Sequence, residues 1–486
     1  MTSSLPRFAR VPASAPFAAC VLCLHACSDP RSGPSVTVRD SAGIPIVEAH
    51  WPVWTDTTRW RIDPEPVLDL ARRGLGQVYS FSLVRGMGRL SDGSIVVGNT
   101  GSNEIRQFTP EGYFVASAGG EGEGPGQFTG MRRLELVGDS LFARDSDGRV
   151  AVFAPGPKFV RAMRPDHRIE SLRSLGDGTL VGEVAIPPPD RALTGLFRDE
   201  RALVRLDMAG ALLDTIGRTA GREHYADNAA VGATPLFAKS SHFATHDGRI
   251  YYGAADIMQV RELGPGGELL RIFRIPDYPL ALTDKQIEAE REARGEGLPP
   301  LIRDAVETMP APGARPAFSD LLVDPAGAIW LRPHVGAGER DEPAEWLVLD
   351  SAGTWLGGVE VPAGFRIWQI RTDEVLGTWV DRSGSPHPQV LRLRRGGGAG
   401  AARRGQSLQA RAGAQRRRRL PGEPHVALGN PGCPGGPREP RQRSLLRRQR
   451  RGRSAGRHEL RSAYQRRQRG GARLAARGDG AAGPPP

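Results

Sequence analysis

Between Gly86 and Phe128 the chain alternates short apolar runs with turns in a pattern that few folds accommodate. Arg89-Leu90-Ser91-Asp92-Gly93 leads into the apolar run Ser94-Ile95-Val96-Val97-Gly98, and a polar turn over Asn99–Asn103 follows. Glu104-Ile105-Arg106-Gln107-Phe108 is the next run, Pro110-Glu111-Gly112 turns the chain, and Tyr113-Phe114-Val115-Ala116-Ser117 runs back. The stretch leaves through Gly119-Gly120-Glu121-Gly122-Glu123-Gly124-Pro125-Gly126-Gln127-Phe128, where glycine and proline exclude regular structure. Short β-type runs bounded by turn residues predict an antiparallel meander of about 40 residues.

The unit recurs. A second begins at Met131-Arg132-Arg133-Leu134-Glu135-Leu136 and turns at Gly138-Asp139, and a third begins at Ser171 and turns at Asp177-Gly178. A fourth runs from His242 through Asp247-Gly248, a fifth from Ser319 through Gly327, and a sixth from Phe365 through Thr372-Asp373-Glu374. Radial repetition of four-stranded units describes an all-β, six-bladed β-propeller. The sixth unit lacks its last strand, and the unassigned strand near residues 44–62 is expected to supply it from the other end of the chain, removing the open sheet edge.

Turn-to-turn spacing locates insertions. Gly93 to Asp139 and Gly327 to Asp373 are each 46 residues apart and Asp139 to Gly178 is 39, whereas Gly178 to Gly248 is 70 and Gly248 to Gly327 is 79. The surplus falls in residues 187–201, 218–235 and 276–316, read as long loops that carry whatever the propeller binds. One short helix is expected among them, Asp284 to Arg294, capped by Thr283 and ended by Gly295, with an apolar side sparse enough for a surface lid.

The formal charge of +12 misleads as a whole-chain number. Residues 394–486 hold 24 Arg and four acids, a balance of +20, so residues 1–393 carry 12 − 20 = −8. An argument for nucleic acid would rest on the tail alone, and no nucleic-acid partner is expected. The tail, residues 396–486, is Arg-, Gly- and Pro-rich, buries too little apolar area to order itself, and reads as disordered. Out-of-frame translation of a GC-rich sequence accounts for it, and resequencing tests this by looking for an in-frame stop near codon 395.

Residues 1–27 read as an export signal: Arg7 and Arg10, an apolar stretch from Phe17 to Leu24, then Leu24-His25-Ala26-Cys27. That ending resembles a lipobox, which makes Cys27 the expected lipidation site and the membrane a partner through the N-terminal lipid, in the periplasm or at the outer membrane. Between Ser28 and Gly432 there is no cysteine, so neither disulfides nor cysteine-ligated zinc belong to the folded part, residues 28–395.

Several motifs have a functional and a plain reading. Gly138-Asp139-Ser140-Leu141 begins like an esterase signature, but no Asp-x-x-His follows and the tetrapeptide sits at a hairpin position. Asp145-Ser146-Asp147-Gly148 begins like a calcium loop without its closing glutamate, and a turn is preferred. His242 and His246 share a strand face about 13 Å apart, too far for one ion. The glycines of residues 119–126 precede neither a lysine nor a helix, which a phosphate loop requires.

The turn Asp92-Gly93, the run Glu104–Phe108, Gly112 and above all Gly124-Pro125-Gly126-Gln127-Phe128 resemble the six-bladed NHL/TolB-like propellers of exported bacterial proteins. The resemblance implies the fold over residues 40–395 and a periplasmic or surface setting, and little chemistry. In such a fold the first strand of each blade lines the axis. Arg85, Arg132, Arg173, Lys239, His242, Asp320 and Arg366 lie on or before those strands and are the candidate ligand-binding residues of an anion-attracting channel mouth. The leading expectation is a monomeric, non-catalytic scaffold that binds a protein, peptide or glycan at its loop-bearing face, without cofactor or metal. The alternative is a gluconolactonase-like hydrolase or lyase holding Ca²⁺ or a similar cation in the channel.

Overall fold

The computed structural model describes residues 33–186, 195–226 and 232–396. The signal segment, Cys27 and the tail from residue 397 lie outside the described residues. Six antiparallel meanders form the body, and their innermost strands are Val84–Arg89, Met131–Val137, Ile169–Ser174, His242–His246, Phe318–Val323 and Phe365–Ile370. Each innermost strand contacts the next, and the sixth contacts the first, so the blades close into a ring.

Packing between blades follows the same circle. Phe128, Leu134 and Phe153 fill the gap between blades one and two, and Phe142, Leu172 and Val204 that between two and three. Leu203 with Phe243, Phe273 with Phe318, Trp346 with Phe365, and Met87 with Leu376 mark the other four. Six apolar seams for six blades leave no open edge between first and last. The second and third strands of the blades are apolar on both faces because each blade is sandwiched between two others, which is why those runs read as continuous rather than alternating. Where blades one and two approach most closely, Gly86 (φ +135°) faces the Leu134 carbonyl with no room for a side chain.

The hairpins inside each blade are fixed by local chemistry. Asp92 Oδ1 accepts from Ser94 N at 2.8 Å and Asp177 Oδ1 from Thr179 N at 2.9 Å, so the Asp-Gly turns are held by their own carboxylates. Gly138-Asp139 is a two-residue hairpin turn between Val137 and Ser140, and Asp139 accepts from the neighbouring blade's Ser91 N at 2.8 Å. Asp145 is spent on protein donors: Thr129 N at 3.0 Å, Gly130 N at 2.8 Å and the Arg149 guanidinium at 3.0 Å.

An N-terminal strand, Arg61–Ile62, closes the sixth blade as expected, and the other apolar run of residues 44–62 goes elsewhere. Ile44–Ala49 does not join the sixth blade; it pairs in parallel with Leu269–Arg274 of the fourth, with Val36–Ser41 outside it. The chain then crosses to the fifth blade, where Val53 N and Trp54 N donate to Trp355 O and Leu356 O at 3.0 and 2.8 Å. Only Arg61–Ile62 and Leu68–Asp69 reach the sixth, both pairing with Pro386–Arg394. The N-terminal segment is therefore a belt over the outer edges of three consecutive blades. Trp54 seats against Gly357 (φ +154°), where a Cβ would stand 2.6 Å from the indole.

The insertions are also more ordered than loops. Gly195–Asp207 and Leu212–Ala226 continue blade three as one long hairpin, so much of the surplus read as loop is strand. The third insertion holds two helices, not one: α1, Asp284–Gly295, and α2, Pro300–Thr308. Thr283 caps α1 in a box with Gln286. The insertion encloses its own small core of Leu236, Phe237, Val306 and Met309, with Ile287 of α1 packed against it. Among the described residues, no helix is long and apolar enough to cross a membrane.

Candidate functional site: the channel mouth

In a meander, the connections from second to third strand and from fourth strand to the next blade share one side. The 186–195, 226–242 and 274–318 connections are all of these kinds, so every insertion rises from one face. That face is where the innermost strands begin.

The entrances of those strands are irregular in a recurrent way. A β-bulge interrupts blade one at Arg85-Gly86, blade two at Arg132, blade three at Glu170 and blade five at Ser319, all at the insertion-bearing end. Blade six is bulged deeper, at Trp368, and blade four is regular. A bulge adds a residue to one strand and re-aims its neighbours, a device common at functional rims.

Beneath the rim the axis is crowded with guanidinium groups. The Arg366 and Arg133 guanidiniums lie over the same Trp368 indole, 4.4 and 5.2 Å from its centroid. Trp368 is itself fixed by an Nε1 hydrogen bond to Thr378 Oγ1 at 2.8 Å. Glu135, whose side chain is 5 % exposed, takes Arg133 at 3.5 Å, Arg144 at 3.3 Å and Arg173 at 3.3 Å. One carboxylate thus serves three cations. Asp320 is the second acid, and its field reaches Arg133, Arg332, Arg366 and His242 without a direct ion pair among the described residues.

Charge does not balance here. Arg133, Arg144, Arg173, Arg332 and Arg366 face two carboxylates, an excess of three positive charges. The strain shows in protonation: burial, and then the proximity of Arg173, pulls Arg133 down to about 10, and burial also lowers Arg332 and Arg366. The Nε atoms of Arg133, Arg332 and Arg366 are buried without a hydrogen-bond partner. His242, against Phe318 at 5.8 Å, is lowered by burial and stays neutral at pH 7, adding no charge.

The candidate residues separate by location. Arg173, His242, Asp320 and Arg366 meet around the axis. Arg85 and Arg132 stand exposed at the bulged rim. Lys239 lies just before the fourth innermost strand and is held at 3.6 Å by Asp256, which also takes Arg198 at 2.8 Å. Reading the sequence missed Trp368 and Arg332. Trp368 had a signal in its two-residue spacing from Arg366, whereas Arg332 ends a second strand and meets the axis only because it pairs with Asp320. Ser140 starts the second strand of blade two, at the turn end opposite the mouth. Among the described residues, no group of three or more His, Cys, Asp or Glu side chains could hold a metal ion.

No known protein family matches this sequence by profile, and no curated protein matches it. Solved structures do align with it. A protein of Bacteroides fragilis designated as exported is 11 % identical, covers 71 % of this chain and 98 % of its own, with a TM-score of 0.44. A DUF4221 family member from Bacteroides vulgatus is 9 % identical over 70 % of this chain and 100 % of its own, TM-score 0.42. An inactive virginiamycin B lyase from Staphylococcus aureus, solved with quinupristin, is 12 % identical over 64 % of this chain and 80 % of its own, TM-score 0.33.

Proposed function

We propose that this chain is a non-catalytic binding propeller that receives an anionic group of a protein, peptide or glycan at the channel mouth of its insertion-bearing face. One observation carries the reading: two arginines stacked on Trp368, with three more close by, are answered among the described residues by Glu135 and Asp320 alone. Cations gathered around a low-dielectric opening attract an anion and strengthen its hydrogen bonds. Trp368 gives the guanidiniums a surface that keeps them apart and orients their free N–H groups. The insertions around the mouth supply the area that a larger ligand would cover.

Calorimetric titration with citrate and with inorganic phosphate tests this. Saturable binding that Arg366→Ala and Arg133→Ala each weaken by about tenfold or more is expected, as for loss of a charge-assisted contact. Unchanged affinity in both variants, or no binding by the parent chain, refutes it. The same proposal places the protein outside the cytoplasm, tethered through lipid on Cys27, on the strength of the Leu24–Cys27 ending. Release of the chain from the membrane fraction by Cys27→Ala is the expected outcome, and retention there counts against the tether.

A further inference from the structure

A cavity lies on the outer flank where the belt crosses from blade four to blade five. Its volume is about 520 Å³, within the roughly 300–1,000 Å³ of small-molecule sites. The belt contributes His50 and Trp51, the exit from blade four contributes Asp277 and Tyr278, and blade five contributes Glu345 and Trp355 over a floor of Ile275 and Leu347. The wall therefore offers four aromatic rings and two carboxylates, and neither lysine nor arginine lines it.

The wall is held in place without a ligand. His50 Nε2 meets Thr37 Oγ1 at 2.8 Å, and Trp51 leans on His50 with 5.9 Å between ring centroids. A tight turn, Tyr278 N to Pro276 O at 2.8 Å, sets Asp277 and Tyr278 side by side between two prolines. Burial, and then Glu345, raise the Tyr278 phenol, which stays neutral. Two nearby arginines are already paired. Arg315 is forked onto Glu339 at 3.0 and 3.1 Å. Arg59 bonds Glu345 at 2.8 Å in an exposed pair, and such pairs contribute little and yield readily. Asp277 is exposed and makes no side-chain hydrogen bond or ion pair among the described residues.

The geometry points to a site for an organic cation, a quaternary or alkylated ammonium group. Aromatic rings attract such a group through their negative faces, and the carboxylates beside them, Asp277 unpaired and Glu345 in an exposed pair, add charge attraction. A small hydrated metal ion gains nothing from indole faces, and an anion would meet two carboxylates. A neutral sugar would stack on the same rings yet be indifferent to the charge of Asp277, which makes it the alternative to separate. The site shares no residue with the channel.

Titration of the full chain with tetramethylammonium chloride, against sodium chloride at matched ionic strength, is the test. Saturable heat is expected, weakened about fivefold by Asp277→Asn and by Trp51→Ala, the loss of one contact at a partly exposed site. Asp277→Asn alters only an exposed side chain, so the test survives if Trp51→Ala misfolds. Arg366→Ala is expected to leave this binding unchanged, which keeps the outcome separate from the anion reading of the channel. Heat no greater than the sodium control overturns the proposal. So does equal affinity for uncharged tert-butanol, close to tetramethylammonium in size and shape, or indifference to Asp277→Asn.

Discussion

Replacing Glu135 with glutamine tests whether the channel's positive charge is held under tension. The carboxylate lies 3.3 to 3.5 Å from Arg133, Arg144 and Arg173, and its Oε1 also accepts from Leu172 N at 3.4 Å. Glutamine keeps the shape and one acceptor oxygen but removes the charge. Breaking a buried ion pair from one side costs about 3–5 kcal/mol, and the retained amide acceptor places Glu135→Gln near the lower end, ~3 kcal/mol. Spread over the ~360 residues from Gly33 to Gly396, that lowers Tm by about 4 °C. Urea unfolding followed by circular dichroism measures the change. The decisive arm adds sulfate: an anion that enters the cluster and binds only the folded state stabilises by about 2.7 kcal/mol at a hundred times its Kd. The variant, with one more unanswered cation, is expected to gain more from sulfate than the parent does. A loss under ~1 kcal/mol, or equal sulfate dependence in the two proteins, refutes the argument that charge is unbalanced there.

Two further outcomes test other parts of the fold. Trp60 lies under the Arg395 guanidinium at 4.0 Å and beside Trp54 and Trp330 at 5.1 and 5.9 Å, pinning the belt to blades five and six. Because the ring is half-buried, Trp60→Ala is expected to cost about 2–3 kcal/mol, below the full-core range; an effect within ~0.5 kcal/mol in urea unfolding contradicts a structural belt. Burial lowers His334 to about 4 from 6.5, so the folded protein prefers it neutral. Its contribution is present above pH 6.5 and is lost as pH falls towards 4, by at most about 3 kcal/mol. Glu290, opposed by burial but lowered by Arg294 and the Ala337 amide, and Glu339, lowered by Arg315, lose stability in the same direction at lower pH. Unfolding curves between pH 7 and pH 4 are expected to be flatter for His334→Gln than for the parent, and parallel curves contradict this.

The ring of blades was legible because its information is local. The Asp92-Gly93 and Asp177-Gly178 turns are closed by their own carboxylates, and the middle strands of the blades are apolar on both faces, so neither needs a distant partner to be recognised. Which outer edge an N-terminal strand covers is not local. Ile44–Ala49 and Arg61–Ile62 look alike as short apolar strands, and only tertiary packing sends one to blade four and the other to blade six. The helix α2 was hidden for a different reason. Nine residues opened by proline, without a side-chain cap, carry too little periodic signal, and its stability comes from Val306 and Met309 closing on Phe237. The long hairpin of blade three was obscured by Gly195, Gly217 and Gly221, which weaken strand propensity where pairing with the facing strand sustains it.

The same distinction explains what could be read of the channel. Which strand of a blade is innermost follows from its position in the repeat, so Arg173, Asp320 and Arg366 could be placed near one axis without coordinates. Which neighbour turns inward depends on the bulge, a change of register by one residue that a strand pattern does not record. Arg132 is the extra residue of its bulge and stays at the rim, while Arg133 reaches Trp368. The bulges recur at the mouth and the belt lies on the outer edges, so the two work on different radii of one wheel. Belt and seams oppose outward displacement of the blades around a centre that, among the described residues, holds five arginines against two acids. Loosening the belt is therefore the perturbation by which the outer edge would be felt at the axis, through relaxation of the guanidinium cluster rather than through any direct contact.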